Sequence, residues 1–412
     1  MMNQNQGSKY KILVLTMSDI TSMEKGSIYG DLLLSLRNDG HSVRVVTPLE
    51  KRLKLETNII DENGISLLRV KTGNLFSTNI IEKIIAQLGL VRKYRKAMAL
   101  FFPYEKYDMI LYSTPPVTIV NLVKHLKRQT SAFTYLMLKD IFPQNAVDLG
   151  FISGRGLVYS YFRKKEQALY KISDRIGCMS SANVEYILSH NSYISRNKVE
   201  LCPNSLLPRD LRVTEDEKFM VRKHYGLPQE KCIFVYGGNI GKPQGIDFII
   251  DCLRSQKWND NVYFLIIGGG TEFNRLEKFI VKENPNNVEL MKTLNRPEFE
   301  KLIASCDVGL LFLDKRFTIP NFPSRLLSYM QAGLPIFACT DLVTDVGSII
   351  TRNGFGWWCR SGDLVTFSEL INSISDRRNA LKMGIAAFNY FESNFSVERV
   401  KDIILNNLNE LQ

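Results

Sequence analysis

Four segments carry residues whose types and spacing suit an anionic ligand. The first, Gly237-Gly238-Asn239-Ile240-Gly241-Lys242-Pro243-Gln244-Gly245, follows the apolar run Cys232–Tyr236. Glycines let backbone N–H groups approach an anion, and a helix beginning after such a loop adds its positive end. Lys242 supplies a point charge, although an ordinary tight turn would need the same glycines. The second, Gly268-Gly269-Gly270-Thr271-Glu272, repeats the device after Val262–Ile267. A third, around Leu294, precedes a helix expected from Pro297, whose ring suits a first helical turn. The fourth is the most informative. Strand Val308–Leu313 runs into a loop from Asp314 to Arg325 and then a helix expected over Leu326–Ala332. Pro323 and Ser324 mark that helix start, which places free N–H groups and Arg325 at the loop mouth. Arg316 and Arg325 could clamp a diphosphate, since guanidinium forks match phosphate oxygens. The plainer alternative leaves them solvated or paired with Asp314.

Such loops need a scaffold. Apolar runs alternate with amphipathic stretches in both halves of the chain, the pattern of βα units and parallel sheets. Strands are expected at Lys11–Met17, Ser42–Val46, Asp108–Tyr112, Phe133–Leu138 and Arg175–Met179, with helices from near Tyr29 and near Val117. The rhythm restarts with strands at Cys232–Tyr236, Val262–Ile267, Val308–Leu313 and Pro335–Ala338. The polar stretch Pro203–Gln229 between them reads as a hinge, and a last helix, about Val397–Leu411, is long enough to pack back across it. The expected fold is α/β: two Rossmann-like domains with parallel sheets facing a central cleft. Residues 1–206, joined by the helix 396–412, form the amino-terminal domain, and 207–395 the carboxy-terminal one. In such sheets ligands bind beyond the carboxyl ends of the strands, where all four segments fall.

The chain's 412 residues suit two domains, and 45% hydrophobic with 23% charged residues exclude a disordered or fibrous protein. The polar start, Met1–Tyr10, shows no signal peptide, and no run approaches the length of a membrane-spanning helix. Seven scattered cysteines and four separated histidines give no disulfide framework and no zinc pattern, so a reducing, cytoplasmic setting is expected. The net charge of +11 is one-sided: residues 51–200 hold 23 Lys and Arg against 12 Asp and Glu, while the flanking segments balance. An anionic partner follows, whether nucleic acid, membrane surface or phosphorylated ligand. Nucleic acid is the weakest of these, because the basic residues form no recognisable reading motif.

At these residues the sequence resembles bacterial glycosyltransferase family 4, retaining enzymes of the GT-B fold. The nearest likeness is to members that assemble O-antigen, capsule or colanic-acid-type polysaccharides. Supporting stretches include Ile28–Leu32, Gly40–Val43, Tyr112–Pro116, Leu138–Ala146, Gly238–Gly245, and Pro323–Met330 through Gly333-Leu334-Pro335. Departures stand beside them. Typical members carry Arg and Lys where this chain has Asn239 and Gln244. Their paired glutamates are replaced by Pro320 and Ser328, and their strand-end histidine by Lys139.

The resemblance implies a nucleotide-diphosphate sugar held by the second domain, with uridine as the implied base, transferred with retention and without a metal or cofactor. Lys242, Arg316 and Arg325 would stabilise charge developing on the leaving diphosphate. Gly26, Gly238, Asn239, Gln244, Gly269, Thr271, Leu294, Asn321, Ser324 and Ser328 complete the expected donor site. Asp140, after strand Phe133–Leu138, is expected to position or polarise the acceptor hydroxyl, unless it caps the helix ahead of it. Residues 80–102 mix Ile80, Ile84, Leu88 and Phe101 with Lys83, Arg92, Lys93, Arg95 and Lys96. That basic amphipathic stretch suits an anionic membrane, though its apolar side could equally pack on the sheet. The implied acceptor is an undecaprenyl-pyrophosphate-linked glycan, with the enzyme peripheral on the inner face of the bacterial membrane. A nucleotide-sugar epimerase of the same fold and a catalytically silent, sugar-nucleotide-binding scaffold are the alternatives.

Overall fold

The computed structural model describes residues 8–17, 20, 27–75, 80–103, 105–374 and 379–410. The chain divides into two units, Met1–Leu207 with Val397–Gln412, and Pro208–Ser396. No helix among the described residues is long and apolar enough to cross a membrane.

The first unit is built on eight strands: β1 Lys11–Leu15, β2 Ser42–Glu50, β3 Asn58–Glu62, β4 Ile65–Thr72, β5 Met109–Thr114, β6 Phe133–Leu138, β7 Arg175–Cys178 and β8 Val199–Leu201. Their order is β3-β4-β2-β1-β5-β6-β7-β8. Every pair is parallel except β3 with β4. That hairpin was not anticipated from the sequence. Its turn places Asn63 at φ 54° and Gly64 at φ 75°, the two positive angles that an Asn-Gly pair adopts readily in a tight hairpin. Strand β5 is buried along its whole length, which is why it reads as an apolar run and not as an alternation. Helix Val397–Asn409 completes this unit. Its Val400, Ile404 and Leu408 join a core with Ile12, Val14, Leu32 and Leu36. Glu398 accepts from the Ser35 hydroxyl at 2.9 Å, and Tyr10 Oη donates to Asn409 at 2.7 Å.

The second unit holds six parallel strands: β9 Cys232–Asn239, β10 Val262–Gly269, β11 Val288–Met291, β12 Val308–Phe312, β13 Ile336–Thr340 and β14 Gly356–Arg360. Their order, β11-β10-β9-β12-β13-β14, reverses direction between β9 and β12, and ligands of doubly wound sheets bind at such a reversal. Phe234, Phe264, Phe312, Phe337 and Phe367 fill its core. A buried ion cluster fixes the amino-terminal side. Asp307 accepts from Lys218 at 2.6 Å, Arg222 at 2.7 Å and the Ile233 N–H at 2.7 Å. Burial alone would raise the Asp307 carboxyl, but the two cations outweigh it and hold it below its ordinary range. The helix Glu215–His224, which carries both cations, is thereby tied to the start of β12.

Strands β9 and β10 run further than the sequence suggested. They stay paired through Gly237↔Ile267, Gly238↔Gly268 and Asn239↔Gly269, so glycines read as loop are strand ends.

Candidate functional site

The site grows from that extension. A Cβ on Gly268 would lie 1.9 Å from the Gly238 carbonyl oxygen, and one on Gly270 would lie 2.3 Å from that of Ile240. The glycines of the second loop therefore let the two strand ends touch. Ile240 N–H donates to Gly269 at 2.8 Å and Glu272 N–H to Ile240 at 3.0 Å, locking the contact. Within the first loop, the two positions where typical members carry charge are bonded to each other. Asn239 Nδ2 donates to Gln244 Oε1 at 3.2 Å, and the same oxygen accepts from Gly241 N–H at 3.0 Å. Gln244 is buried. A neutral pair thus shapes the loop by hydrogen bonding. Lys242 is exposed beside it.

The two arginines of the fourth segment have different fates. Arg316 is bound to Asp314 through both Nε at 2.9 Å and Nη2 at 2.8 Å. Burial raises the Asp314 carboxyl, but the Arg316 bonds outweigh it and leave it lowered. The bond to Asp314 also holds the Arg316 guanidinium above its ordinary value. Arg316 is half of an ion pair here, the plainer of its two readings. Arg325 instead lies flat on the Tyr236 ring, with Cζ 4.3 Å from the centroid. A cation over an aromatic face is electrostatically favoured. Its Nη2 reaches the Asn239 carbonyl only at 3.5 Å, and its Nη1 is buried without a hydrogen bond. A buried guanidinium N–H left unpaired costs of order 1–3 kcal/mol, so the position favours an incoming acceptor. Tyr329, one turn further along helix Arg325–Gln331, accepts the Gly237 N–H at 2.7 Å and fixes the same strand end.

Beside Gly238 and Gly268 lies a cavity of about 240 Å³, walled by Ile267, Thr293, Leu294, Arg296 and Phe299. Its apolar walls suit a flat ring. Leu294 and Gly238 are thus brought together, with Arg325 packed on the same glycine strand end. Gly269 and Thr271 sit on the second strand end, with Thr271 exposed. Asn321 is held by its own loop: its N–H donates to Thr344 Oγ1 at 2.9 Å and its Nδ2 to the Ile319 carbonyl at 3.2 Å. Ser324 occupies the N-cap position without a side-chain cap bond, and the N–H groups of Leu326 and Leu327 turn back to Pro323 and Ser324. Those two amides, expected to be free, are satisfied within the chain. Ser328 is partly exposed on the helix that Arg325 begins. Sequence reasoning passed over Asp341, after β13. Its Oδ1 accepts the N–H groups of Val343 and Thr344 at 2.9 and 2.8 Å, while Oδ2 is buried without a partner. Burial raises this carboxyl above its ordinary value. A lone Asp beyond a strand gave no signal in the sequence.

In the first unit, Asp140 stands after β6 and does not cap the following helix, whose N-cap is Pro143 without a side-chain bond. It accepts instead from the Asn145 side chain. Its neighbour Lys139 makes no hydrogen bond or ion pair among the described residues, and burial pushes its amine below the ordinary value. Gly26 lies outside the described residues. Lys83 lies on helix Ile80–Phe101. On that helix Arg92, Lys93, Arg95 and Lys96 are exposed, whereas Ala86, Leu90, Tyr94, Ala97 and Met98 are buried. Tyr94 Oη donates to the Thr16 carbonyl at 2.9 Å, so this part of the helix packs on the core, whereas the side chains of Ile80, Ile84 and Leu88, on which the membrane expectation rests, lie outside the described residues. A larger cavity of about 610 Å³ lies between this helix and Val120–Thr130, lined by Phe102, Tyr107, Leu122 and Thr130. Tyr107 and Thr130 lead into β5 and β6, so it sits at the amino ends of the strands, away from the carboxyl ends where ligands of such sheets bind. Among the described residues no group of three or more His, Cys, Asp or Glu is placed to hold a metal ion.

Comparison with known proteins finds relatives of both the sequence and the fold. Residues 217–388 match the family described as "Glycosyl transferases group 1". The chain is 25% identical over 275 residues to the probable glycosyltransferase WbjE of Pseudomonas aeruginosa, a match covering 65% of this chain and 66% of that protein. It is 21% identical over 341 residues to the putative colanic acid biosynthesis glycosyl transferase WcaI of Escherichia coli, covering 79% and 81%. The fold superposes on that of Anabaena HepE, solved in complex with UDP-glucose, with a TM-score of 0.71 at 15% identity over 97% of this chain and 100% of that one. The resemblance read from the sequence, including its colanic-acid-type members, therefore holds, as does the GT-B fold class.

Proposed function

We propose, for a chain that is a glycosyltransferase with a group 1 domain on a GT-B fold, that it moves a sugar from a uridine-diphosphate sugar to a lipid-linked glycan. The acceptor is an undecaprenyl-pyrophosphate-linked glycan of bacterial surface-polysaccharide assembly, met at the inner face of the membrane. The observation that carries this reading is Arg325: a guanidinium with a buried, unpaired N–H, packed on Tyr236 beside the glycine strand ends where the sheet reverses. The names of WbjE and WcaI support a glycan product, and the UDP-glucose bound by HepE supports the donor class.

In this mechanism the donor's base enters the cavity between Leu294 and Phe299, and its diphosphate lies over the Gly238 strand end. Negative charge grows on the diphosphate as the glycosidic bond breaks. Arg325 and Lys242 meet that charge where it forms, and a preorganised donor of this kind contributes about 10²–10³ in rate. Asp140, in the first unit, orients the acceptor hydroxyl. The sugar is transferred with retention, and the cationic side chains stand in the role a metal would otherwise fill.

A thermal-shift titration with UDP, GDP, ADP and dTDP in the presence of EDTA tests the donor site. A ligand that binds only the folded protein stabilises by about 2.7 kcal/mol at a hundredfold excess over its Kd. A shift selective for UDP and lost in Arg325→Ala supports the reading; no shift with any nucleotide overturns it. Turnover with the lipid-linked acceptor then separates a transferase from an epimerase, which needs none, and from a silent scaffold, which binds donor without consuming it.

A further inference from the structure

The segment between Leu149 and Lys165, in the first unit, exposes large apolar side chains in close succession. Leu157 is 90% exposed, Val158 53%, Tyr161 44% and Phe151 42%. Single exposed apolar residues are ordinary, but contiguous ones mark a surface that meets something. Three of these open the helix Leu157–Ile172, whose N-cap is Gly156 without a side-chain bond and whose first turn has no acidic residue. Glycine is an accepted N-cap, but the apolar first turn that follows it carries none of the carboxylates that helix starts favour.

The same helix is well held at its far end. Glu166, Leu169 and Tyr170 are buried. Arg163 pairs with Glu166 and donates to Asn191 Oδ1 at 2.7 Å. Its first two turns are therefore presented from a fixed base. Cations flank the apolar side chains. Arg155 and Lys164 are exposed, and Lys165 Nζ stands 5.5 Å above the Tyr161 ring. No Asp or Glu occurs from 149 to 165. At 1.5 Å per residue, Lys164 lies about 10 Å along the axis from Leu157. That matches the depth of roughly 5–10 Å over which apolar anchors enter a bilayer interface while cations stay among the headgroups.

We propose that this tip, Phe151 with Leu157, Val158 and Tyr161, inserts into an anionic phospholipid surface, with Arg155 and Lys164 held at its phosphates. It deepens the proposed function and rests on that reading's membrane-borne acceptor. It also assigns docking to a different element from helix Ile80–Phe101, where Leu90, Tyr94 and Met98 are buried. Charge selects the occupant: with Arg155 and Lys164 exposed and no Asp or Glu from 149 to 165, the tip complements an anionic surface, whereas the same tip of a second copy would meet it with like charge.

The test is co-sedimentation of the full chain with phosphatidylcholine–phosphatidylglycerol vesicles against phosphatidylcholine alone. Wild type is expected on the anionic vesicles only. Leu157→Ser with Val158→Ser should weaken binding by about tenfold or more, and Arg155→Ala or Lys164→Ala by about fivefold each, with salt sensitivity. Arg92→Ala with Lys93→Ala should have a smaller effect than the apolar pair. The reverse ranking overturns the proposal. So does a dimer that the apolar pair dissolves while vesicles retain no protein, because the occupant is then a second copy. Leu157→Trp gives an independent reading: its fluorescence should be quenched by brominated lipids relative to wild type, and an unquenched tryptophan overturns insertion. The UDP shift, measured on every variant without lipid, keeps the two claims apart. Lost docking with an intact shift leaves the transferase reading standing, and a lost shift with intact docking does the converse.

Discussion

The two units use their unusual residues in opposite directions. In the second, Gly268 and Gly270 close on the neighbouring strand end, buried Gln244 holds Asn239, and Arg325 lies on Tyr236, so their chemistry is set by what touches them. In the first, the excess cations sit on exposed helix faces and the distinctive apolar residues stand bare. An inward site tolerates almost no change of shape, whereas an outward one tolerates many substitutions and answers to charge and salt.

Alanine at two glycines should break this comparison most sharply. Gly268 has φ 158°, and an added Cβ there would strike the Gly238 carbonyl at 1.9 Å. Gly268→Ala should destabilise the protein by about 3 kcal/mol or more and abolish the nucleotide shift, since neither backbone can give way cheaply. Gly89, within helix Ile80–Phe101, meets nothing within 4 Å. Gly89→Ala should stabilise by up to about 1 kcal/mol through helix propensity. Thermal melts of the pair check both signs; equal losses would mean that the helix of the first unit is as tightly constrained as the strand ends of the second.

The next contrast lies within one loop. If Arg325 meets the leaving diphosphate as proposed, Arg325→Ala should reduce kcat by about 10²–10³-fold. Arg316 is already satisfied by Asp314, so Arg316→Ala should act through the loop, with a few-fold rise in KM and a smaller loss in kcat. Kinetics on both variants would expose a wrong assignment at once: comparable losses in kcat would return Arg316 to the diphosphate.

These arginines also show what a sequence can and cannot say. The parallel-sheet rhythm was legible because buried strands read as apolar runs, and Phe133–Leu138 was found to the residue. That the glycine segments follow apolar strands was legible for the same reason, but not that the strands run on into them. Which arginine stays available was not, because it depends on whether Asp314 or Tyr236 lies within reach. Helix Ile80–Phe101 teaches the same lesson. Its composition is amphipathic, but periodicity alone does not say that Leu90, Tyr94 and Met98 are the side chains that go to the core. The tip at Leu157 was missed because Leu-Val-Tyr within an ordinary helix looks like core until exposure is known. The Asn63-Gly64 hairpin, by contrast, carried a readable turn signal that the alternating βα pattern overshadowed.

The smallest effect concerns pH, and it should order the two units. His41 is buried and accepts the Tyr10 N–H on Nδ1 at 3.1 Å, and burial, resisted by Asp39, lowers it from its ordinary 6.5. A histidine lowered in the folded state binds fewer protons than the unfolded chain between the two values. Its contribution is therefore complete above pH 6.5 and is lost as pH falls through the lowered value. Asp307 titrates later. Although burial opposes it, its pairs with Lys218 and Arg222 leave the carboxyl below 3.8, so its contribution persists until pH falls through that lower range. Mild acid should accordingly loosen the first unit before the second, seen as earlier loss of amide protection around Tyr10 and His41 than around Ile233 and Asp307. His41→Asn, which can keep an acceptor for Tyr10, should flatten the pH dependence just below 6.5 and leave the more acidic transition in place. If that variant instead removes the acidic transition, the histidine and the Asp307 cluster are coupled, and the units do not respond to acid separately.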